Sequence, residues 1–438
     1  MAATQTQIPQ EIANQIVLPV GHLDEKALFE AYEWLRNNAP LAKVEVEGYD
    51  PLWLVTKHSD ILEIERQPEL FPNGGGPDNP GTHNPILNTK AGDDFTLKTH
   101  GTLRPLESLQ MMDPPEHTMV RDIAQGWFRP VELKKWNDRI RELADKVIVR
   151  HLQPGINEVD FSQDFAWFYP LHVVMTLFGV PEEDEPHIMK LAHERFGVND
   201  PESRRAGIDN DSPTAAAEQN LANIKDFFTY YSKLVDKLRR EPEDNLASLI
   251  ANARMSNGEF YPVKMCIGYY IAISGAGHDT TSTTSAVIFE QLAKNPDQLK
   301  AVQEDLSLIP NLINEGLRWA SPVKHFVHQA AGDYEIRGQK IKEGDRLMLL
   351  FQSANRDEDI FPDPTAFRHD RKPNPHIAFG SGPHSCLGQP LARLELRILL
   401  EQLLPRVRNI ELLEGRKVLQ TNFVGGVKSL PVRFELLD

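Results

Sequence analysis

Phe379-Gly380-Ser381-Gly382-Pro383-His384-Ser385-Cys386-Leu387-Gly388 is the stretch on which the reading of this chain turns. A glycine-rich turn delivers one cysteine, and Pro390 then opens an apolar-periodic run to position 404 that reads as a helix. Free backbone N–H groups and the positive end of a helix dipole favour a thiolate over a thiol, and a thiolate is a metal ligand. Glycines leave room for something flat and large to approach the backbone. A lone cysteine at a turn is more often a buried structural residue. The pattern F-x-x-G-x-x-x-C-x-G, however, specifies four positions, a chance match on the order of 10⁻³ in a chain of this length.

Outward from that stretch, the 438 residues are 40% hydrophobic and 25% charged, enough apolar material for a sizeable core. Length alone allows roughly three domains or one large fold. The formal net charge of −16 argues against general nucleic-acid binding, which depends on neutralising phosphates. Two cysteines, Cys266 and Cys386, exclude a disulfide scaffold and a Cys-rich zinc module. The N-terminal stretch MAATQTQIPQEIANQ has no basic or apolar signal region. The most apolar run, 269–277, is far shorter than the roughly 20 residues a membrane span needs. A cytoplasmic protein without membrane anchor is expected.

Helical periodicity covers 131–152, 221–240, 262–294, 310–319 and 390–404, and Asp113-Pro114-Pro115-Glu116 reads as a helix start with Asp113 as N-cap. Strand signals cluster at 43–56, 334–350 and 419–437. No βαβ alternation is visible, so the expectation is a mainly α protein with small antiparallel β-sheets (α+β), formed as a single domain over 1–438. Residues 71–101 and 200–213 read as long loops, expected to act as mobile lids.

The cysteine pattern is also the haem-binding loop of the cytochrome P-450 superfamily, which the chain resembles from end to end. The resemblance implies haem b as cofactor, with Cys386 as axial thiolate and Phe379 and Gly388 in its loop. Glu315-Gly316-Leu317-Arg318 resembles the family's E-x-x-R pair, with Arg371 as the third charge, and the implied role is to brace the loop. Ala276-Gly277-His278-Asp279-Thr280-Thr281 resembles the oxygen-activation motif: Thr280 at the oxygen, Asp279 relaying protons, and Gly277 allowing a local opening of the helix. His117 and Arg121, four apart on one helix face, match the propionate-binding helix, and His384 matches another propionate donor. Where the family usually carries an Arg, His328 stands here.

Within the superfamily the chain is most similar to soluble bacterial enzymes of the terpineol-hydroxylating group. The carrying segments are Glu47-Gly48-Tyr49-Asp50-Pro51, Tyr169-Pro170-Leu171-His172, Ser353-Ala354-Asn355-Arg356-Asp357 and Thr421-Asn422-Phe423-Val424. This implies an O2-dependent monooxygenase hydroxylating a small hydrophobic substrate, a monoterpene, terpenoid or alkyl-aromatic. Leu103, Ile273, Ala276, Val323, His325, Phe326 and Val424 are expected around the substrate, with His325 read chiefly as a hydrogen-bonded wall residue. No flavin or nicotinamide fingerprint or fused reductase is seen. The resemblance therefore implies a [2Fe–2S] ferredoxin and its NAD(P)H-dependent reductase as partners. A basic face of Arg129, Lys134, Lys135, Arg368, Arg371, Lys372, Arg393 and Arg397 would steer an anionic partner. The alternatives are a peroxide-driven haem hydroxylase and a non-catalytic haem-binding sensor.

Overall fold

The computed structural model describes residues 8–437; residues 1–7 of the N-terminal stretch read above lie outside them. The centre of the fold is the helix Val263–Lys294, buried along most of its length. A helix that is mostly small or apolar on every side must be covered on every side. It packs against the helices Phe168–Phe178, Ala215–Arg240, Glu185–Phe196 and Ile309–Ala320. Its hydroxyl residues bond back to the preceding turn: Ser282 donates to the His278 carbonyl at 2.9 Å and Thr284 to that of Thr280 at 2.8 Å.

A four-stranded sheet lies apart from this core, in the order Leu41–Val44, Leu52–Val55, Arg346–Leu350, His325–Gln329. Two of its joins are antiparallel, but Leu52–Val55 runs parallel to Arg346–Leu350, which the reading of purely local hairpins did not provide for. Both faces are covered. Leu52, Leu54, Met348 and Leu350 belong to one apolar cluster, and Trp53, Val55, Leu347 and Leu349 to the other. Two-sided burial is why 347–350 reads as a continuous apolar run and not as an alternation. A second, three-stranded sheet joins Gly155–Asp160, Pro431–Leu436 and Val407–Leu412, all antiparallel.

Several boundaries differ from the sequence reading. Residues 71–101 contain the helix Lys90–His100, started by Thr89 Oγ1 accepting from the Gly92 amide and ended by Gly101 at φ +73°. Asp113 does not cap the helix Glu116–Gln125. Its carboxylate accepts instead from the amides of Asn73 (2.7 Å), Gly74 (2.8 Å) and Gly76 (2.9 Å), pinning the preceding loop. The run 131–152 is broken by a tighter turn at Lys134–Trp136 before the helix Asn137–His151, and the helix ending at Arg240 begins already at Ala215.

The charged residues of the E-x-x-R pattern are interior. Arg318 Nε and Nη2 each donate to Glu315 at 2.8 Å, and Arg371 Nε reaches the same carboxylate at 3.1–3.2 Å. Glu315 and Arg318 are 0% exposed and Arg371 4%. The remaining donors hold backbone carbonyls of the segment leading to the cysteine loop. Arg318 takes Asn355, Pro364 and Ala366, and Arg371 takes Pro362, Asp363 and Ala366. Arg371 is therefore spent in this brace and does not belong to an exposed basic face. Removing one partner strands a buried charge, so Arg371→Ala should lower unfolding free energy by about 3–5 kcal/mol in urea titration. A loss under about 1 kcal/mol would show that the brace is dispensable.

Candidate active site

Cys386 sits between the short turn Gly382–His384 and the helix Gln389–Leu403. Its amide donates to the Phe379 carbonyl at 2.8 Å, closing the loop. Gly382 has φ +62°, and a Cβ there would stand 2.1 Å from the Glu65 carbonyl oxygen, so only glycine lets the loop lie on the helix His58–Glu65. The thiol opens onto a cavity yet is surrounded by protein on its other sides. That desolvation pushes its pKa up, against the opposing pull of the Gly388 and Gln389 amides and of Arg121 and Arg393. The helix end thus softens the desolvation without reversing it, so the free thiol is held protonated until a cation meets the sulfur.

The cavity, of about 380 Å³, is lined at one end by Cys386, Phe379 and Gly388, and at another by His117, Arg121, His328 and His384. Leu103, Ile273, Ala276, Val323, Phe326 and Val424 also line it. His325 does not. Its Nδ1 meets the Asn422 carbonyl at 2.7 Å and its Nε2 accepts from the Leu87 amide at 3.1 Å, so both nitrogens are used in holding the wall together. His328 Nδ1 is 2.7 Å from the Phe71 carbonyl, which fixes the ring while the side chain still lines the cavity.

The rings of His117 and His384 face each other with centroids 4.2 Å apart, and Arg121 Nη2 donates to the Ser385 carbonyl at 2.8 Å beside them. Burial lowers the His117 pKa to about 4 and puts that of His384 well below the ordinary histidine value. Both ring nitrogens of His117 and Nε2 of His384 are buried without a hydrogen-bond partner. Buried polar atoms in that state are costly unless something supplies an acceptor or donor.

Gly277 and Thr280 also line the cavity, but the helix carrying them is unbroken. Thr280 Oγ1 donates to the Ala276 carbonyl at 2.8 Å, an ordinary backbone return, so no local opening is present. Gly277 is where Val174 packs against the helix: a Cβ there would lie 2.9 Å from Val174 Cγ2. Asp279 lies behind, 3.4 Å from His278 Nδ1 and 3.9 Å from His193 Nε2. Burial raises its pKa, but the two histidines more than offset this, and the carboxyl is held below its usual value.

Comparison with known proteins follows this geometry. The family model described as Cytochrome P450 matches residues 88–422, more than half of the chain. The chain is 42% identical over 428 residues to Cytochrome P450-terp of a Pseudomonas species, covering 98% of both. It is 31% identical over 409 residues to Steroid C26-monooxygenase of Mycolicibacterium smegmatis, covering 92% of both. The crystal structure of CYP108D1 from Novosphingobium aromaticivorans superposes with a TM-score of 0.87 at 36% identity, covering 98% of this chain and 99% of that one. A cysteine thiol, an arginine beside two buried histidines and the small-residue stretch of the central helix all line one cavity, the residue set of a haem-thiolate oxygenase. The chain belongs to the cytochrome P450 family and is a P450 monooxygenase whose cofactor is haem b, bound in this family by a cysteine thiolate. The donor set fits that group: buried histidine nitrogens without partners, beside an arginine, suit its carboxylates.

Sequence reasoning missed two carboxyls that line the cavity, Glu65 and Glu395. Neither belongs to a motif; only their burial marks them, and burial is not readable from local pattern. Burial pushes the pKa of Glu65 up from 4.5 to about 8, and the Ser381 amide offsets only part of this. The folded protein thus holds a proton that the unfolded chain releases at lower pH. Glu65 costs no stability below pH 4.5, costs progressively more up to about pH 8, and then levels off. Glu65→Gln should flatten the fall in urea stability between pH 5 and pH 8 by on the order of 2–4 kcal/mol. Parallel pH profiles for variant and wild type would rule out a protonated Glu65.

Proposed function

We propose that this monooxygenase hydroxylates a small, mostly hydrocarbon substrate of the terpenoid or alkyl-aromatic class, using electrons from a [2Fe–2S] ferredoxin fed by an NAD(P)H-dependent reductase. The observation that carries the reading is the convergence of Cys386 and the Thr280 hydroxyl on one largely apolar cavity, with Asp279 directly behind. The more similar of the two curated relatives bears a terpene name and the less similar one a steroid name, which favours the smaller substrate class.

In this reading Cys386 would ligate the haem iron, and His117, Arg121, His384 and His328 would hold the propionates. When bound, the thiolate-ligated haem supplies reductive activation of O2 and cleavage of the O–O bond. The protein's part is placement and proton supply. Ile273, Ala276, Val323, Phe326, Val424 and Leu103 seat an apolar substrate and keep water from the reacting carbon. Thr280 Oγ1 can turn from the Ala276 carbonyl to donate into the cavity. Asp279 exchanges protons at its carboxylate oxygens and resupplies that hydroxyl. A peroxide-driven enzyme would have no use for this acid–hydroxyl pair.

Electrons would arrive at the cysteine side, where Arg129, Lys134, Lys135, Arg368 and Lys372 are exposed. Arg393 and Arg397 contribute less, because Arg393 is bonded to Asn314 and Arg397 pairs with Glu401 at 3.6 Å. Against the net charge of −16, such a face would steer a small acidic protein. Among the described residues no helix is long and apolar enough to cross a membrane, which supports a cytoplasmic assignment.

Two measurements test the reading. Cys386→Ser should abolish the long-wavelength carbonyl band of the reduced protein while Cys266→Ala keeps it; the opposite result would end the ligand assignment. Thr280→Ala, supplied with ferredoxin and a small terpene, should still consume NADH. Product per NADH should fall about tenfold or more, and hydrogen peroxide should rise in its place. Asp279→Asn should instead slow NADH consumption itself. Full coupling in Thr280→Ala would remove the role given to that hydroxyl.

A further inference from the structure

On the side of the central helix turned toward Glu185–Phe196 lies a compact group of ligating atoms, of which the reading above uses only Asp279. His193, His278 and Asp279 each offer one donor, and the three donors lie within 4.8 Å of one another. Asp279 Oδ1 is 3.9 Å from His193 Nε2, and Asp279 Oδ2 is 3.4 Å from His278 Nδ1. These gaps exceed the about 2.7–2.9 Å of a charge-assisted hydrogen bond. The shorter gap matches the about 3.3–3.5 Å that separates neighbouring donors around tetrahedral zinc with ligand bonds of about 2.0–2.2 Å, and the longer one would close by about 0.4 Å on binding.

The polar atoms here are unusually poorly served. His278 is 0% exposed, and neither of its ring nitrogens has a hydrogen-bond partner. His193 Nε2 and Asp279 Oδ2 are likewise buried and unpartnered. One central cation would satisfy an atom of each residue at once. Two imidazoles and one carboxylate suit a borderline divalent ion; magnesium and calcium prefer all-oxygen sites. His193 and Asp279 retain side-chain exposures of 25% and 13%, which gives an ion a way in and leaves room for water as fourth ligand.

We propose that His193, His278 and Asp279 form a binding site for one Zn²⁺ ion. If Asp279 supplies protons as read above, loading the site ties up that carboxylate and slows turnover. That consequence, unlike the site itself, rests on the proposed function.

The test uses tag-free holoenzyme, cleared of loose metal with a chelator and titrated with zinc chloride against a chromophoric zinc indicator. Wild type should take up one equivalent, and His278→Ala and His193→Gln should each bind at least tenfold more weakly. X-ray absorption at the zinc edge should report two imidazole donors. His193 is mostly buried, and the haem spectrum of His193→Gln verifies that the fold is kept. No saturation at one equivalent, or an affinity within twofold of wild type in both variants, would overturn the site. In a parallel assay, zinc should slow substrate turnover of wild type but not of His193→Gln, each measured against itself without zinc. A loaded site with unchanged turnover supports the metal site and overturns the proton role of Asp279, so the two readings fail separately.

Discussion

The structure hangs on the buried triad of Glu315, Arg318 and Arg371. Its net contribution to stability is modest in principle, since desolvating three charges costs much of what their attraction returns. What it does contribute is position. The segment 355–371 has little regular structure of its own, so its carbonyls need partners from elsewhere. Two guanidinium groups take them in one arrangement. Because the same segment runs on into the cysteine loop, the geometry at Cys386 is inherited from an ion pair inside a helix more than sixty residues earlier.

The cavity that results is electrically quiet until it is occupied. Burial raises the cysteine thiol, keeps His117 and His384 neutral and leaves Glu65 protonated. A pocket built this way carries little fixed charge of its own beyond Arg121 and Arg195. It suits a ligand that brings its own metal charge and carboxylates, and it avoids stranding ions in the empty fold. Leu103, Ile273, Ala276, Val323, Phe326 and Val424 add an apolar surface to the same cavity.

Much of this was legible in sequence because the decisive residues come in fixed local spacings. The cysteine loop, the E-x-x-R pair and the Asp279–Thr280 step each sit within a few positions of one another, and length and periodicity located the helices that carry them. Residues defined by partners far along the chain were not legible. Asp113 looked like an N-cap because its neighbours are prolines, yet three amides from positions 73–76 claim its carboxylate. His325 was read as a hydrogen-bonded wall residue, but its partners at Asn422 and Leu87 could not be named in advance. Arg371, by contrast, was legible as the third charge of the brace, and it is buried there against Glu315. The helix Lys90–His100 was hidden by the glycines, prolines and asparagines on its N-terminal side.

One consequence concerns the life of the chain before it is folded. The strand Leu52–Val55 has a local partner on one edge, but its other edge pairs in parallel with Arg346–Leu350, roughly 290 residues later. At a synthesis rate of about 5–20 residues per second, that edge waits some 15–60 s on the ribosome for its neighbour. Leu52–Val55 is entirely buried in the finished sheet, so throughout that interval an apolar strand with an open hydrogen-bonding edge faces water. The first hairpin to emerge thus gains its second neighbour only after most of the chain has been made.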